Sequence, residues 1–334
     1  MKKAIALTGL LAITVISYAG ELKYEKDKIS GPYSHKNLTI FLIHGESAIG
    51  PENILSLEEA LSQKKIRIYE TSDVGRLLVE NLSDKIPVFI QSGDIIKGGK
   101  QDRVVRNDMV IEPNSGKVPV ASFCVEQGRW TRRGTESQAE FNSSKKSLSS
   151  RQLKLANKYK SSQGEVWNEV DQAQQKLAMN VGKPVKMSES ATSLQLTREH
   201  KDIEKQVKAY IDDISKQIAD SKDVIGFAFA VNNKLSNAHL YGNAVLFRKL
   251  RDKMFESCAV EALSELNEGK KTENSTTVQE LVDWLNQADK GKESQKSVND
   301  RTYLKIKDNK EDVVFETYEK RDGEKWLHKE YLKK

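Results

Sequence analysis

Two strand-like runs that meet at an Asn-Asn pair limit the possible folds of this chain more than any other feature. Residues 224–242 read VIGFAFAVNNKLSNAHLYG, and the two runs meet at Asn232 and Asn233. Asparagine tolerates the positive φ angles that a two-residue hairpin turn requires. We therefore expect two adjacent antiparallel strands here, followed directly by a helix that Asn243 caps.

Strand-like and helix-like segments occur in blocks along the chain. Short β-type runs separated by turn residues fill positions 36–130, and apolar residues recur at helical spacing in much of the region between Gly164 and Leu266. Strand-like runs return between Tyr303 and Leu332. Blocks of this kind, without a regular alternation of strand and helix, predict an α+β fold.

We expect one compact domain from residue 20 to residue 334. Residues 36–130 should form a β meander or sheet, and residues 163–334 should hold long central helices, the hairpin and the C-terminal strands. Between them, residues 131–162 are rich in Ser, Lys, Arg, Gln and Asn with little apolar pattern. This composition predicts a long exposed loop.

The first nineteen residues resemble a signal peptide rather than part of the domain. Lys2 and Lys3 precede an apolar run from Ala4 to Ile16, and Ser17-Tyr18-Ala19 supplies small residues at a cleavage point. The run is shorter than the roughly 20 residues that cross a bilayer. We therefore expect a periplasmic or secreted protein without membrane contact after cleavage.

The charge balance does not indicate a nucleic-acid partner. The 54 Lys and Arg residues are interleaved with 48 Asp and Glu residues, which gives a formal net charge of +6 at pH 7. Mild basicity spread along a chain differs from the concentrated basic runs typical of nucleic-acid contacts. We expect no nucleic acid among the partners.

The glycine-rich segment SGDIIKGGKQDRVVRND, residues 92–108, is the strongest candidate for a binding site. Glycines allow backbone N–H groups to converge on one point, and an arginine fork fits two oxygens, so an anionic or phosphorylated small molecule is the expected ligand. The predicted ligand-binding residues here are Lys97, Gly98, Gly99, Lys100, Gln101 and Arg103. An ordinary exposed hairpin loop has a similar composition. The segment is also not a P-loop, because it lacks the Gly-Lys-Ser/Thr sequence that ends that motif.

A second polar group follows in the segment CVEQGRW, at the end of a strand-like run. Glu126 could act as a general acid or base if burial raised its pKa, and Asp94 is the second candidate acid. Gln127, Arg129 and Trp130 are predicted ligand contacts. The alternative is an ion pair between Glu126 and Arg129, with Trp130 in core packing.

Cysteine and histidine usage predicts no metal centre, and because no dinucleotide-type glycine pattern stands between a strand and a helix, we expect no cofactor. The five histidines are scattered without metal-ligand spacing. His239 and His328 lie in or beside strand-like runs, where packing or surface positions are expected. Cys124 and Cys258 lie in apolar surroundings, which favours two buried thiols, although an oxidising compartment leaves a disulfide open.

Several segments together resemble one protein family. They are GDIIKGGKQDR with ASFCVEQGRW, GEVW, and VIGFAFAVNNKL with NAVLFRKL. The chain is similar to the ADP-ribosylglycohydrolase and rhodanese-phosphatase-superfamily-associated protein domain from about Leu38 to Leu332. The residues that carry the resemblance are Gly93, Lys97, Gly98, Gly99, Gln101, Arg103, Glu126, Gln127, Gly128, Arg129 and Trp130. It implies a link to phosphate-bearing nucleotide derivatives and no particular mechanism.

Three functions remain open at this point. The first is binding of an anionic small molecule or a glycan-like ligand by the Gly93–Arg103 segment and the Glu126–Trp130 strand end. The second is hydrolysis of a phosphorylated or ADP-ribosylated substrate, with Glu126 or Asp94 as general base. The third is a structural or interaction role, which a buried and internally bonded polar cluster would favour.

Overall fold

The computed structural model describes residues 23–49, 54–71, 73–130, 141–219, 221–266, 275–321 and 325–334. Within these ranges, sheets and helices pack as an α+β fold, which confirms the class predicted from the sequence. The predicted signal peptide lies outside the described residues. No helix in the described ranges has both the length and the apolar character needed to cross a membrane.

The helices of the described residues are α1 (Leu57–Ser62), α2 (Arg151–Lys154), α3 (Gln163–Val181), α4 (Leu194–Arg198), α5 (Lys201–Ser215), α6 (Ala244–Ser264) and α7 (Val278–Ala288). A π-helix, Leu155–Lys160, continues α2. The strands are β1 (Ile29–His35), β2 (Leu38–His44), β3 (Leu55–Ser56), β4 (Ile66–Tyr69), β5 (Arg76–Asn81), β6 (Val88–Ile90), β7 (Asp94–Gly98), β8 (Arg103–Val105), β9 (Met109–Ile111), β10 (Val118–Cys124), β11 (Phe141–Ser147), β12 (Val224–Val231), β13 (Lys234–Tyr241), β14 (Lys292–Ser297), β15 (Thr302–Asp308), β16 (Asp312–Glu319) and β17 (Lys325–Lys333).

The predicted hairpin forms the middle of the largest sheet. The strands of this sheet are antiparallel and follow the order β1-β2-β12-β13-β17-β16-β15-β14. Asn232 and Asn233 connect β12 to β13 with φ values of 51° and 58°, so the hairpin prediction is confirmed. The Asn243 side chain accepts hydrogen bonds from the backbone N–H groups of Val245 and Leu246, so its predicted cap on α6 is also confirmed.

Both faces of the large sheet are covered by helices. Leu38, Ile40 and Leu42 of β2 pack on the side of α5 and α6, whereas Phe41 and Ile43 pack on the side of α7. A strand with two covered faces can be apolar at every position. This accounts for the uninterrupted apolar runs in β2 and β12.

The strands between residues 55 and 124 do not form the simple meander that we predicted. One sheet has the order β11-β7-β8-β10-β5-β4, and a second has the order β3-β6-β9 with β3 parallel to β6. A meander would place successive strands side by side. The chain instead alternates between two small sheets, which pack around α1 and share one apolar core.

The prediction of an exposed loop at 131–162 is wrong for residues 141–160; residues 131–140 lie outside the described ranges. Residues 141–160 contain β11, α2 and the π-helix, and Phe141, Leu148 and Leu153 are buried. A short strand followed by a π-helix has neither the spacing of a regular strand nor that of an α-helix, so its apolar residues show no period. Lysines usually indicate solvent exposure, but Lys154 and Lys158 of this segment are buried.

Candidate functional site

The glycine-rich segment is a β-hairpin rather than an open loop. Its residues form β7 and β8, joined by a turn at 99–102. Gly98 and Gly99 have φ values of 117° and 58°. A Cβ at Gly99 would lie 2.3 Å from Cζ of Phe141, so a side chain there would collide with that ring. Gly99 is therefore required for close packing of the turn against β11.

Two backbone N–H groups of this hairpin bind carboxylates of the chain itself. The N–H of Gly98 donates to Asp102 Oδ1 at 3.0 Å, and the N–H of Lys100 donates to Glu70 Oε2 at 3.1 Å. Arg103 Nη2 lies 3.5 Å from Glu70 Oε1. An external anion would have to displace these internal carboxylates to reach the same donors.

The hairpin and the CVEQGRW segment meet through three buried charged groups, Asp102, Glu126 and Arg129, here called the hairpin cluster. Arg129 Nη2 lies 2.6 Å from Glu126 Oε2 and 3.6 Å from Asp102 Oδ1. Both carboxylate side chains are fully buried. Gln101 adds a hydrogen bond from Nε2 to the carbonyl oxygen of Glu126 at 3.1 Å. The ion pair expected as the alternative to a catalytic Glu126 is therefore present.

Trp130 marks the solvent side of this arrangement. Its side chain is 40% exposed, so it is not the core residue that the alternative expected. Lys100 Nζ and Arg103 Cζ lie 4.8 and 5.6 Å from its ring centroid, at cation–π distance. Arg103 also donates to Gln101 Oε1 at 3.1 Å, while Gln127 is exposed.

The two candidate acids do not share a site. Asp94, at the other end of β7 from the turn, forms a buried ion pair with Lys253 of α6. Glu126 belongs to the hairpin cluster. Lys97, between these two places, pairs with Glu199 at 3.1 Å. The predicted basic side chains are thus each in contact with a carboxylate or an aromatic ring of the protein.

A polar cleft of about 750 Å³ lies between the N-terminal end of α2, α3, the β12–β13 hairpin and the C-terminal end of α6. Its charged lining residues are Arg151, Glu169, Lys176, Lys234, Glu261 and Glu265. Lys176 Nζ lies 3.0 Å from Glu265 Oε1. A cleft of this size is in the range of small-molecule sites, and all of its lining residues lie outside the segments that the sequence predicted as a site.

Glu261 is the buried acid of this cleft. Its side chain accepts a hydrogen bond from Ser236 Oγ at 2.5 Å, and Glu261 Oε2 has no hydrogen-bond partner among the described residues. Burial raises the pKa of the Glu261 carboxyl, although the positive charge of Lys154 acts to lower it. Burial also raises the pKa of Glu169, on the facing helix α3. A carboxyl of raised pKa can donate a hydrogen bond when it is protonated.

A second group of buried ionisable residues lies in the interior, on β13, β17 and the π-helix and directly before β9. We call Asp108, Lys158, His239, His328 and Glu330 the buried centre. His328 Nδ1 lies 2.8 Å from Asp108 Oδ2, and His239 Nδ1 lies 3.0 Å from His328 Nε2. Lys158 Nζ lies 2.9 Å from Glu330 Oε2 and 3.7 Å from Asp108 Oδ2.

The charges of the buried centre stabilise one another. Burial acts to raise the pKa of the Asp108 carboxyl, but Lys158 and His328 outweigh it and hold the pKa below its usual range. In the same way, Lys158 and Lys154 keep the pKa of Glu330 low despite its burial. Burial and the nearby Lys154 charge hold the pKa of His239 well below its usual range. His239 is therefore neutral around pH 7, beside charged neighbours.

The members of the buried centre are far apart in the chain, so no local sequence motif predicts it. The partners Lys158 and Glu330 are 172 positions apart, and His239 and His328 are 89 positions apart. The sequence feature that could have indicated the centre is the position of both histidines in apolar strand-like runs. A buried imidazole there requires a hydrogen-bond partner. The lysines Lys154 and Lys158 stand four residues apart, and both were assigned to the exposed loop.

The low pKa of His239 predicts that acidification destabilises the protein through this residue. An unfolded histidine takes up a proton near pH 6.5, whereas His239 in the folded protein does so only at much lower pH, so stability falls as the pH drops below about 6.5. Glu169 and Glu261, whose pKa values are raised, act in the opposite direction. The comparison with His239→Gln isolates the effect, and we expect a difference of up to about 1.4 kcal/mol per pH unit.

Urea unfolding at several values between about pH 7 and pH 5 measures this difference in the free energy of unfolding. The control is His200→Asn, since His200 caps α5 and asparagine is also a good cap. Equal loss of the pH dependence in both variants would contradict the assignment to His239.

Both cysteines are buried free thiols, which confirms the first of the two possibilities raised by the sequence. Burial raises the pKa of the Cys124 and Cys258 thiols, so neither favours the reactive thiolate. Across the described ranges, His, Cys, Asp and Glu side chains form no group of three or more that could hold a metal ion.

Comparison with known proteins gives one match. No curated protein and no solved structure matches the chain. The sequence profile of one domain family matches residues 27–332, which is nearly the whole chain. This protein therefore belongs to the ARG and Rhodanese-Phosphatase-superfamily-associated Protein (ARPP-1) domain family.

Proposed function

We propose that this protein binds a small polar ligand with an anionic group, and that the ligand lies in the cleft between α3, the β12–β13 hairpin and α6. The observation that carries the proposal is the cleft itself, with its volume of about 750 Å³ and its mixed acidic and basic lining. Pockets of roughly 300–1,000 Å³ suit small molecules. The groups of the hairpin cluster, by contrast, are buried against one another.

The charges in the cleft favour an anionic group on the ligand. Lys176 is paired with Glu265, whereas Arg151 and Lys234 form no ion pair within 4 Å among the described residues. Arg151 does lie near Glu261, and its charge acts to lower the pKa of that acid. The raised pKa of Glu261 makes this acid more often neutral, so it repels an anion less than a free carboxylate does. Arginine binds carboxylate and phosphate groups through paired N–H donors. Phosphorylated sugars and nucleotide derivatives are therefore the ligands of choice, in agreement with the family's name.

Arg151→Ala should weaken binding of such a ligand about 10- to 100-fold, because a hydrogen bond to a charged group contributes about 1.5–3 kcal/mol. Isothermal titration calorimetry with inorganic phosphate, ribose 5-phosphate, ADP-ribose and neutral sugars measures the effect. Lys100→Ala is the control, since it removes one cation at the predicted hairpin site and leaves the cleft unchanged. Loss of binding in Lys100→Ala with full binding in Arg151→Ala would place the ligand at the hairpin and overturn the proposal.

Hydrolysis of the bound ligand is a second candidate function. It is favoured by Glu169 and Glu261, two acids of raised pKa that line the same cleft. Raised pKa values of carboxyl groups in a cleft are typical of general acids and bases. Analysis of each titrated ligand for product after incubation separates binding from turnover.

A further inference from the structure

A second, much smaller cavity lies beside the buried centre. Its volume is about 10 Å³, and Lys154, Asn157 and His239 are among its lining residues. Cavities of roughly 10–15 Å³ hold one water molecule. This cavity is therefore large enough for one water and too small for an organic ligand.

Three buried polar atoms of its lining have no hydrogen-bond partner among the described residues. They are Lys154 Nζ, Asn157 Oδ1 and His239 Nε2. The three residues are only 6%, 1% and 1% exposed, so bulk water does not satisfy these atoms. Buried polar groups nearly always bind either protein or ordered water.

The neighbours of these atoms fix their donor and acceptor roles. Asn157 Nδ2 donates to the carbonyl oxygen of Val105 at 3.0 Å, which directs Oδ1 away as an acceptor. Asp108 accepts the proton of His328 Nδ1, and when His328 is neutral its Nε2 therefore accepts from His239 Nδ1. In a neutral His239 the proton is then on Nδ1, and Nε2 is an acceptor.

We infer that this cavity binds one water molecule, which accepts a hydrogen bond from Lys154 and donates two, to Asn157 Oδ1 and His239 Nε2. A water molecule matches this set of groups, because its oxygen can accept from the one donor and its two hydrogens can bind the two acceptors. A halide ion would suit Lys154 but would leave both acceptors unsatisfied. The inference is independent of the ligand proposed for the cleft.

In this arrangement the bound water is held from both sides. His239 Nε2 accepts a hydrogen bond from the water and not a proton, because burial and the charge of Lys154 hold the pKa of His239 well below its usual range. The ammonium group of Lys154 donates to the water oxygen. The Asp108–His328 pair positions the His239 ring from the opposite side. His239 is thus a hydrogen-bond acceptor for a water molecule in the protein interior.

Nuclear magnetic resonance of protein labelled with ¹⁵N in histidine tests the inference on the wild type. We expect an unprotonated Nε2 in His239 and a nuclear Overhauser effect between its ring protons and a long-lived water. A protonated Nε2, with its proton directed to Glu330 Oε1 at 3.8 Å, would overturn the inference, and so would the absence of a bound-water signal.

A matched pair of variants locates the water. Asn157→Leu removes one acceptor and should abolish the water contact, while the tautomer of His239 stays the same because Asp108 and His328 determine it. Asn180→Leu is the control, since Asn180 also donates through Nδ2 to backbone carbonyls and has an unpartnered Oδ1, but lies on α3 outside this cavity. A water contact that persists in Asn157→Leu contradicts the inferred site. If that variant does not fold, the wild-type spectrum alone decides.

Discussion

Asp108→Asn should lower the free energy of unfolding by about 3–5 kcal/mol, the usual cost of removing one partner from a buried ion pair. Asp108 Oδ2 accepts from Thr317 Oγ1 at 2.6 Å and from His328 at 2.8 Å, and Asp108 Oδ1 accepts from the backbone N–H of Ser92 at 2.7 Å. Asparagine keeps one acceptor oxygen but turns an NH₂ group toward donors. The variant also removes the negative charge that faces Lys158.

Urea unfolding at neutral pH measures this effect as a lower midpoint with an unchanged slope. Asp308→Asn is the control, because it makes the same substitution in a carboxylate that is 39% exposed and pairs with Lys334 at the surface. Surface pairs contribute about 0–1 kcal/mol. Equal effects of the two variants would show that the buried centre contributes little to stability.

Arg129→Met should destabilise the protein by a similar amount, about 3–5 kcal/mol. The substitution keeps the length of the side chain but removes the guanidinium that lies between two buried carboxylates, Asp102 and Glu126. These acids would then remain close together without that positive charge. Because the cleft does not include Arg129, we expect ligand binding in the cleft to be retained at temperatures where the variant is folded.

Arg76→Met is the matched control for this variant. Arg76 is 57% exposed and lies 3.8 Å from Asp73, so its replacement should change the stability by less than about 0.5 kcal/mol. Wild-type stability of Arg129→Met together with a loss of ligand binding would assign the hairpin cluster a binding role and reverse our interpretation.

Elements determined by neighbouring residues could be predicted from the sequence. The turn between β12 and β13 depends on Asn232 and Asn233 alone. The start of α6 depends on Asn243, whose side chain accepts hydrogen bonds from two backbone N–H groups of the first turn. The apolar stripe of α3 likewise follows from its own spacing. Each of these signals lies within a few residues of the structure that it forms.

The partners of charged residues could not be predicted in the same way. The backbone N–H groups of the glycine-rich hairpin bind carboxylates of the chain itself, and one of them, Glu70, lies 30 positions before its partner Lys100. With 54 bases and 48 acids in the chain, the sequence does not show which acid pairs with which base. The pairing depends on how the strands are ordered, and that order departs from a meander.

The π-helix sets a length requirement on the segment that leads into α3. It buries four consecutive residues, Leu155 to Lys158, and Lys158 reaches the buried centre from it. Each residue of a helix turns the side chains that follow it, by roughly 100° in an α-helix and by less in the wider π-helix. Deletion of a single residue here would rotate Lys158 away from Asp108 and Glu330, so family members should vary in sequence along this segment more readily than in its number of residues.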